Sequence, residues 1–319
     1  MRYIDVFNGD ADGLCALRQL RLAQPLPSEL VTGLKREIDL LERVEADAQT
    51  FVTVLDISLD RNRAALERVL ACGARVRWFD HHCARSVPAH PRLDAHIDTA
   101  SDLCTSLIVD RHLAGRFAPW AIVAAFGDNL VEVARSRAVA GGFDDAAIAT
   151  LRELGEALNY NSYGDTAADV RIHPRELYLR LARFDDPMQF AAADPIVREL
   201  VARRADDLAQ AARVKPHFED ERCALVVLPD APWSRRVLGT FAHRLANANP
   251  MRMHAVLKGN PDGSYAVSVR AALCSPRGAD ALCRRFGGGG RAGAAGIDGL
   301  PEHRLDALLV ALRDAAHAL

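Results

Sequence analysis

The chain has 319 residues, a formal net charge of −2 and 50% apolar residues. That length suggests about two domains, and the near-neutral balance supplies no global field for nucleic acid or membrane, so any anion must be held by local clusters. Cys15, Cys72, Cys83, Cys104, Cys223, Cys274 and Cys283 include no C-x-x-C pair, which argues against a disulfide framework and against structural zinc. A reduced, cytoplasmic compartment is the default expectation. The acidic motif within the first ten or so residues is no signal peptide, and no apolar run approaches the roughly 20 residues of a membrane span.

Arg2 to Phe7 reads as a short buried strand leading into Asn8-Gly-Asp10-Ala-Asp12-Gly13. Apolar spacing at Leu14, Leu17 and Leu20 predicts a helix over 14–22, stopped by Pro25 and Pro27. Leu30 to Leu34 reads as a second strand. Phe51 to Leu55 is a third and runs straight into Asp56. A helix over 60–71 stops at Gly73, and Ala74 to Phe79 is a fourth strand, ending at Asp80-His81-His82. Strands separated by helices imply a parallel sheet, whose ligands sit outside the carboxyl ends of the strands. Asp10, Asp12, Asp56 and Asp80 all fall at that edge.

From 102 to 214 the pattern is mostly helical. Asp102 is placed as the N-cap of a helix through Leu113. An apolar helix over 119–126 ends at Gly127-Asp128-Asn129, and helical pieces follow near 144–158 and 174–184. Residues 195–214 form a long arginine-rich connecting helix. A second α/β unit then begins with the strand Cys223 to Leu228 and a helix over 234–248. Strands over 253–257 and 265–269 are joined through Gly259-Asn-Pro-Asp-Gly263, a strong turn signal. A helix over 278–286 runs into Gly287-Gly-Gly-Gly290-Arg291, and a final amphipathic helix covers 301–319. The expected architecture is α/β: a parallel-sheet catalytic domain (1–193), a linker helix (194–215) and a smaller α/β substrate-binding domain (216–319).

Asp10 and Asp12 stand two apart in a glycine-flanked loop, so both carboxylates can turn to one side. With Asp56, His81 and Asp128 they make a mixed oxygen and nitrogen donor set, which suits Mn²⁺ or Mg²⁺ better than a thiolate-selected metal. Four carboxylates exceed what one ion needs. Two ions roughly 3.5–4 Å apart, bridged by one carboxylate, would use them and activate a water for attack on phosphorus. Two rival readings start from the same loop. Asn8-x-Asp10-x-Asp12-Gly13 resembles an EF-hand start, but the twelfth position is Gln19 instead of Glu. Asp10-x-Asp12-Gly13 also resembles a haloacid-dehalogenase-type phosphatase motif with Asp10 as nucleophile. Its required lysine has only Lys35, Lys215 and Lys258 to draw on, and Lys35 comes early for that role.

Asp10-x-Asp12, Asp56, Asp80-His81-His82 and Asp128, in that order, resemble the DHH phosphoesterase superfamily. That group includes RecJ exonucleases, oligoribonuclease/pAp phosphatases of the NrnA type, cyclic-dinucleotide phosphodiesterases and manganese pyrophosphatases. Gly287-Gly-Gly-Gly290-Arg291-Ala-Gly-Ala-Ala295-Gly296 resembles the G-G-G-H-x-x-A-A-G signature of the DHH-associated C-terminal domain. The resemblance spans nearly the whole chain. It implies that Asp10 and Asp56 hold one metal while Asp12, Asp56, His81 and Asp128 hold the other, with Asp56 bridging. It places His82 beside the scissile phosphate and Asp80 behind the histidines as an organiser. Arg270, Gly288, Gly289, Gly290 and Arg291 would grip a substrate phosphate through backbone N–H groups and guanidinium forks. Two departures stand out. The family's histidine ligand four residues before the first aspartate is here Val6, and the RecJ aspartate two residues before it is Asn8. The family histidine after the glycines is Arg291.

The expected function is metal-dependent hydrolysis, most readily with two Mn²⁺ ions, of short oligonucleotides or linear dinucleotides (pGpG or pAp among them) to nucleoside monophosphates. The site is expected in a cleft between the two domains. No long duplex and no membrane partner are expected, and homodimerisation is left open. The alternatives are a non-catalytic nucleotide sensor on the same fold and the dehalogenase-type phosphatase.

Overall fold

In the computed structural model residues 1–318 are described, and Leu319, the last residue of the expected final helix, lies outside them. The chain divides into two compact units, Met1–Ala202 and Arg203–Leu319.

The first unit is built on β1 (Arg2–Asn8), α1 (Ala11–Ala23), β2 (Glu29–Gly33), β3 (Thr50–Leu55), α2 (Arg63–Ala71), β4 (Arg75–Asp80) and β5 (Leu93–Ile97). The strands form a five-stranded parallel sheet in the order β2-β1-β3-β4-β5. Side-chain alternation divides each central strand between two cores. Phe7, Leu55 and Phe79 enter one, whereas Val6, Val54 and Trp78 enter the other, which α2 helps to cover. All six side chains are fully buried, each contributing on the order of 1.5–3 kcal/mol. A parallel sheet covered on both faces therefore reads as near-continuous apolar runs, as these strands do.

Helices α3 (Thr105–His112), α4 (Ala118–Gly127), α5 (Val131–Ala140), α6 (Asp145–Ser162), α7 (Pro174–Leu181) and α8 (Pro187–Ala193) follow. Residues from α1, α3, α4, α6, α7 and α8 share the first core with Phe7, Leu55 and Phe79. Then α9 (Pro195–Ala212) runs across the boundary between the units.

The second unit contains β6 (Phe218–Glu219), β7 (Cys223–Leu228), α10 (Pro232–Ala248), β8 (Met253–Gly259), β9 (Ser264–Arg270), α11 (Ala279–Arg284), β10 (Gly289–Arg291), β11 (Ala294–Pro301) and α12 (Leu305–His317). Its sheet runs β10-β11-β9-β8-β7-β6, with only the β7–β8 pair parallel. The crossover α10 joins that pair. No helix among the described residues is long and apolar enough to cross a membrane.

Three local expectations differ. Asp102 is not the cap of α3: the N-cap position is Cys104, whose side chain makes no capping bond. The capping group comes from 92 residues earlier in the chain, as described below. The edge strand β5, Leu-Asp-Ala-His-Ile, gives no strand signal in the sequence because it is half-exposed along its length and has no apolar run. The glycine run is half of a hairpin and not an open loop. In it Gly290 has φ 145°, and a Cβ there would lie 2.5 Å from the Cα of Ala295. A Cβ at Gly288 would lie 2.1 Å from the Gly296 carbonyl, so close backbone approach across the hairpin explains Gly288 and Gly290 without any ligand, but not Gly287 or Gly289.

Candidate metal centre

From β1 the chain moves to β2 on one side and returns at β3 on the other, so the sheet order reverses between β1 and β3. Crevices at such reversals are where open α/β sheets bind ligands. The loop after β1 carries Asp10 and Asp12, the residue after β3 is Asp56, and β4 ends in Asp80 followed by His81 and His82. The sheet order thus sets these three strand ends side by side. Asp128, at the C-terminal end of α4, completes the group.

Asp10 is the N-cap of α1. Its Oδ1 accepts the N–H groups of Asp12 (3.0 Å) and Gly13 (3.1 Å). A Cβ at Gly13 would lie 2.1 Å from the Asn8 carbonyl, so the helix can start this close to β1 only with glycine there. Asn8 is buried, and its Oδ1 accepts the Asp10 N–H at 3.3 Å. Val6 sits in the apolar core beside Leu41 and Ile57. The position of the family's histidine ligand is therefore an ordinary core position in this chain.

Asp12 supplies the missing cap. Its two oxygens accept the N–H groups of Thr105 and Ser106, each at 2.7 Å, and its carbonyl accepts the Ser106 hydroxyl at 2.8 Å. A carboxylate at the first turn of α3 is also favoured by the helix dipole. Asp56 has φ 58°, an unusual left-handed backbone for a residue other than glycine. Its N–H donates to the Phe79 carbonyl at 3.0 Å, and its Oδ1 accepts the Thr105 hydroxyl at 3.1 Å.

His81 Nδ1 lies 3.0 Å from the Leu103 carbonyl. A carbonyl only accepts, so Nδ1 carries the proton and Nε2 keeps its lone pair for a metal. That Nε2 is 3.5 Å from Asp56 Oδ1 and 4.0 Å from Asp128 Oδ2. Asp56, His81 and His82 present ligand atoms all within 4.8 Å of one another. His82 Nδ1 is 2.6 Å from Asp80 Oδ1, which leaves Nε2 as its second functional atom. Asp80 is fully buried. Its Oδ1 also accepts the backbone N–H groups of His81 (2.9 Å) and His82 (3.2 Å), while Oδ2 has no partner among the described residues.

The electrostatics are those of a crowded anionic site. Burial, with Asp10, Asp12, Asp80 and Asp128 nearby, pushes the Asp56 carboxyl well up. Burial also raises Asp128 to about 6, assisted by Asp12 and Asp10 and opposed by Lys35 and His81. Carboxylates that resist ionisation together, beside an imidazole with its lone pair free, fit a bound divalent cation. Asp56 and His81 are common to either candidate donor set, and Asp128, 4.0 Å from His81 Nε2, is one candidate for the third donor. His82 is the competing third donor. Burial alone would lower the His82 pKa, but its bond to Asp80 outweighs that and raises it.

One residue at this edge lies outside the ligand set expected from the sequence. Lys35 follows β2, and its Nζ lies 2.6 Å from Asp10 Oδ2 and 3.3 Å from Asn159 Oδ1. Burial works against both charges, yet the pair wins: Asp10 is held down at about 2 and Lys35 is raised well above the usual lysine range. The signal available in the sequence was position, since Lys35 comes directly after a predicted strand end.

In the second unit, cross-strand register sets Arg291 opposite Ala294, and Ala294 opposite Arg270. The two arginines therefore share a row and a face of the sheet, with small Ala294 between them. Strand spacing puts their Cα atoms roughly 10 Å apart. Arg270 Nη1 donates to Ser268 Oγ and to the Val269 carbonyl, both at 3.0 Å, and β10 is exposed.

No protein-family model matches the chain, and no curated protein does. Solved structures do match. RecJ from Thermus thermophilus in complex with Mn²⁺ is similar at 20% identity and a TM-score of 0.67, over 100% of this chain and 52% of that one. This chain thus spans about half of that RecJ. A second structure, exonuclease RecJ bound to manganese, gives 20% identity and a TM-score of 0.62, with 100% of this chain and 90% of that one covered. PggH from Vibrio cholerae, a pGpG-specific phosphodiesterase, gives 15% identity and a TM-score of 0.60 over 100% of this chain and 99% of the other. The chain therefore shares its fold, over its whole length, with these RecJ and PggH structures.

Proposed function

We propose that the chain is a metal-dependent phosphodiesterase acting on short, 5′-phosphorylated linear oligonucleotides or dinucleotides. The observation that carries this reading is His81. Its Nδ1 is tied to the Leu103 carbonyl, and its Nε2 lies beside Asp56 and Asp128 at the sheet's switch point. Asp56, His81 and Asp128, with Asp12, would hold the cation. When bound, such an ion neutralises phosphate charge and lowers the pKa of a water.

The chain's own groups account for the remaining chemistry. Hydroxide oxygen bonds to phosphorus, the P–O ester bond breaks, and the departing oxygen needs a proton. His82 would give it from Nε2, a role supported by the contact of its Nδ1 with Asp80. Buried Asp80 holds both histidine N–H groups and so sets the geometry of the triplet. In the second unit Arg270 and Arg291, with the exposed Gly289 and Gly290 backbone, are the proposed grip on a substrate phosphate; the Gly288 N–H, expected to share in it, already donates to the Cys283 carbonyl at 2.9 Å. The likeness to PggH, a pGpG-specific phosphodiesterase covered almost end to end, supports a short linear substrate, beside an exonuclease RecJ that is covered to 90%.

A second reading, a nucleotide sensor without turnover, is favoured by Val6 and Asn8, which stand at the family's ligand positions, and by Lys35, which occupies Asp10 Oδ2. The dehalogenase-type reading shares one feature, the Lys35–Asp10 contact, but it leaves the fold and the histidine triplet unexplained. The deciding experiment incubates the purified chain with Mn²⁺ and a 5′-phosphorylated dinucleotide. Release of mononucleotides is expected. Binding without turnover across short substrates and divalent metals would favour the sensor.

A further inference from the structure

The Lys35 ammonium stands where a second cation would have to meet Asp10. We propose that this centre holds a single divalent ion, at Asp56, His81 and Asp128, and that Lys35 permanently takes the place of the other. The inference rests on the metal-centre reading above and deepens it.

Four observations converge. Asp10 Oδ1 is spent on two backbone N–H groups of α1, and Oδ2 lies 2.6 Å from Lys35 Nζ. Asn8 Oδ1 is engaged by the Asp10 N–H at 3.3 Å, which removes the neighbouring oxygen donor. Val6, the remaining family ligand position, is fully buried in the apolar core and offers no donor atom. Lys35 itself is held from α6 and the residue after it. Its backbone N–H donates to the Ser162 carbonyl at 3.1 Å, its Nζ lies 3.3 Å from Asn159 Oδ1, and the ammonium sits 5.3 Å from the centre of the Tyr163 ring.

The chemistry of the exchange is consistent. A divalent ion at a phosphoesterase centre neutralises carboxylates and steadies phosphate oxygens, and an ammonium does both with one charge and three donors. It cannot activate water as a metal does, so that task falls to the ion at His81. The lysine side chain is 26% exposed, so part of it remains open to solvent and to a substrate oxygen. A divalent ion admitted beside Asp10 Oδ2 would face the ammonium at short range, and the like charges would exclude one another.

The test is a metal count on the full chain. Protein stripped with chelator is dialysed to equilibrium against excess Mn²⁺. Bound metal is measured by elemental analysis, and the spin state by electron paramagnetic resonance. One equivalent per chain, with the spectrum of an isolated ion, is the expected result. Two equivalents, or an exchange-coupled pair, would overturn the single-ion inference and leave the metal centre standing. No bound metal would overturn both. Lys35→Ser should then admit a second, weaker equivalent, whereas Lys35→Arg should stay at one. A Lys35→Ser protein with an unchanged circular dichroism spectrum and one bound ion would remove Lys35 as the excluding group.

Discussion

Asp80 Oδ1 lies 2.6 Å from His82 Nδ1, and the same oxygen collects the backbone N–H groups of His81 and His82. One buried carboxylate thus sets both the peptide geometry of the triplet and the orientation of its outer ring. If His82 delivers the proton, His82→Ala should lower kcat by roughly 10²–10⁴-fold while metal stoichiometry is unchanged. Asp80→Asn should lower kcat with little change in KM, because it keeps the shape but loses the charge behind the imidazole. Loss of the metal from His82→Ala would instead place His82 among the ligands, as its closeness to Asp56 and His81 allows.

Asp12 joins the start of α1 to the start of α3. Its carboxylate takes the two N–H groups that Cys104 leaves uncapped. Asp12→Ala should therefore destabilise the chain by about 2–3 kcal/mol even with chelator present, since a cap and two charge-assisted bonds are lost together. Asp12→Asn, which keeps one acceptor, should cost less. Urea unfolding in metal-free buffer checks this, and an unchanged midpoint for the alanine variant would remove the capping role.

The Lys35–Asp10 pair carries a pH signature. Asp10 is held at about 2 against an ordinary 3.8, so its contribution to stability is present above 3.8 and is lost as pH falls through about 2. Lys35→Met should remove it, costing about 2–3 kcal/mol near neutral pH, at the low end for a buried pair because the lysine is partly exposed. The gap between the two proteins should close in strong acid. A constant difference from pH 7 down to pH ~2 would argue against the pairing.

Arg291 and the glycines beside it make separable predictions. Arg291→Ala removes an exposed guanidinium from β10 and should raise KM for 5′-phosphorylated substrates by about tenfold with stability unchanged, a charged hydrogen bond being worth roughly 1.5–3 kcal/mol. Gly290→Ala should damage the hairpin itself, because its Cβ would lie 2.5 Å from the Cα of Ala295. Steady-state kinetics and thermal unfolding on both variants separate substrate grip from backbone fit.

The parallel sheet and the gathering of acids were legible because buried parallel strands are apolar runs, and three of the four runs read from the sequence lead into a carboxylate, at Asp10, Asp56 and Asp80. What the sequence did not disclose was pairing across distance. Asp12 caps a helix that starts at Thr105, and nothing local to either residue says so. Lys35 lies directly after a predicted strand, yet its partner Asp10 is 25 residues away and was read as a metal ligand. The edge strand β5 and the glycine-containing β11 lack the apolar runs that announce a strand, so the hairpin around Gly290 reads as a loop in the sequence. The ends of strands were readable from pattern; the roles divided among them depended on which side chains met.

The most direct measurement is product formation by the purified chain given Mn²⁺ and a 5′-phosphorylated dinucleotide, followed by chromatography. The account predicts conversion to nucleoside monophosphates, abolished by chelator and by His81→Ala. Undiminished dinucleotide across a panel of short substrates, with Mn²⁺ demonstrably bound, would contradict it.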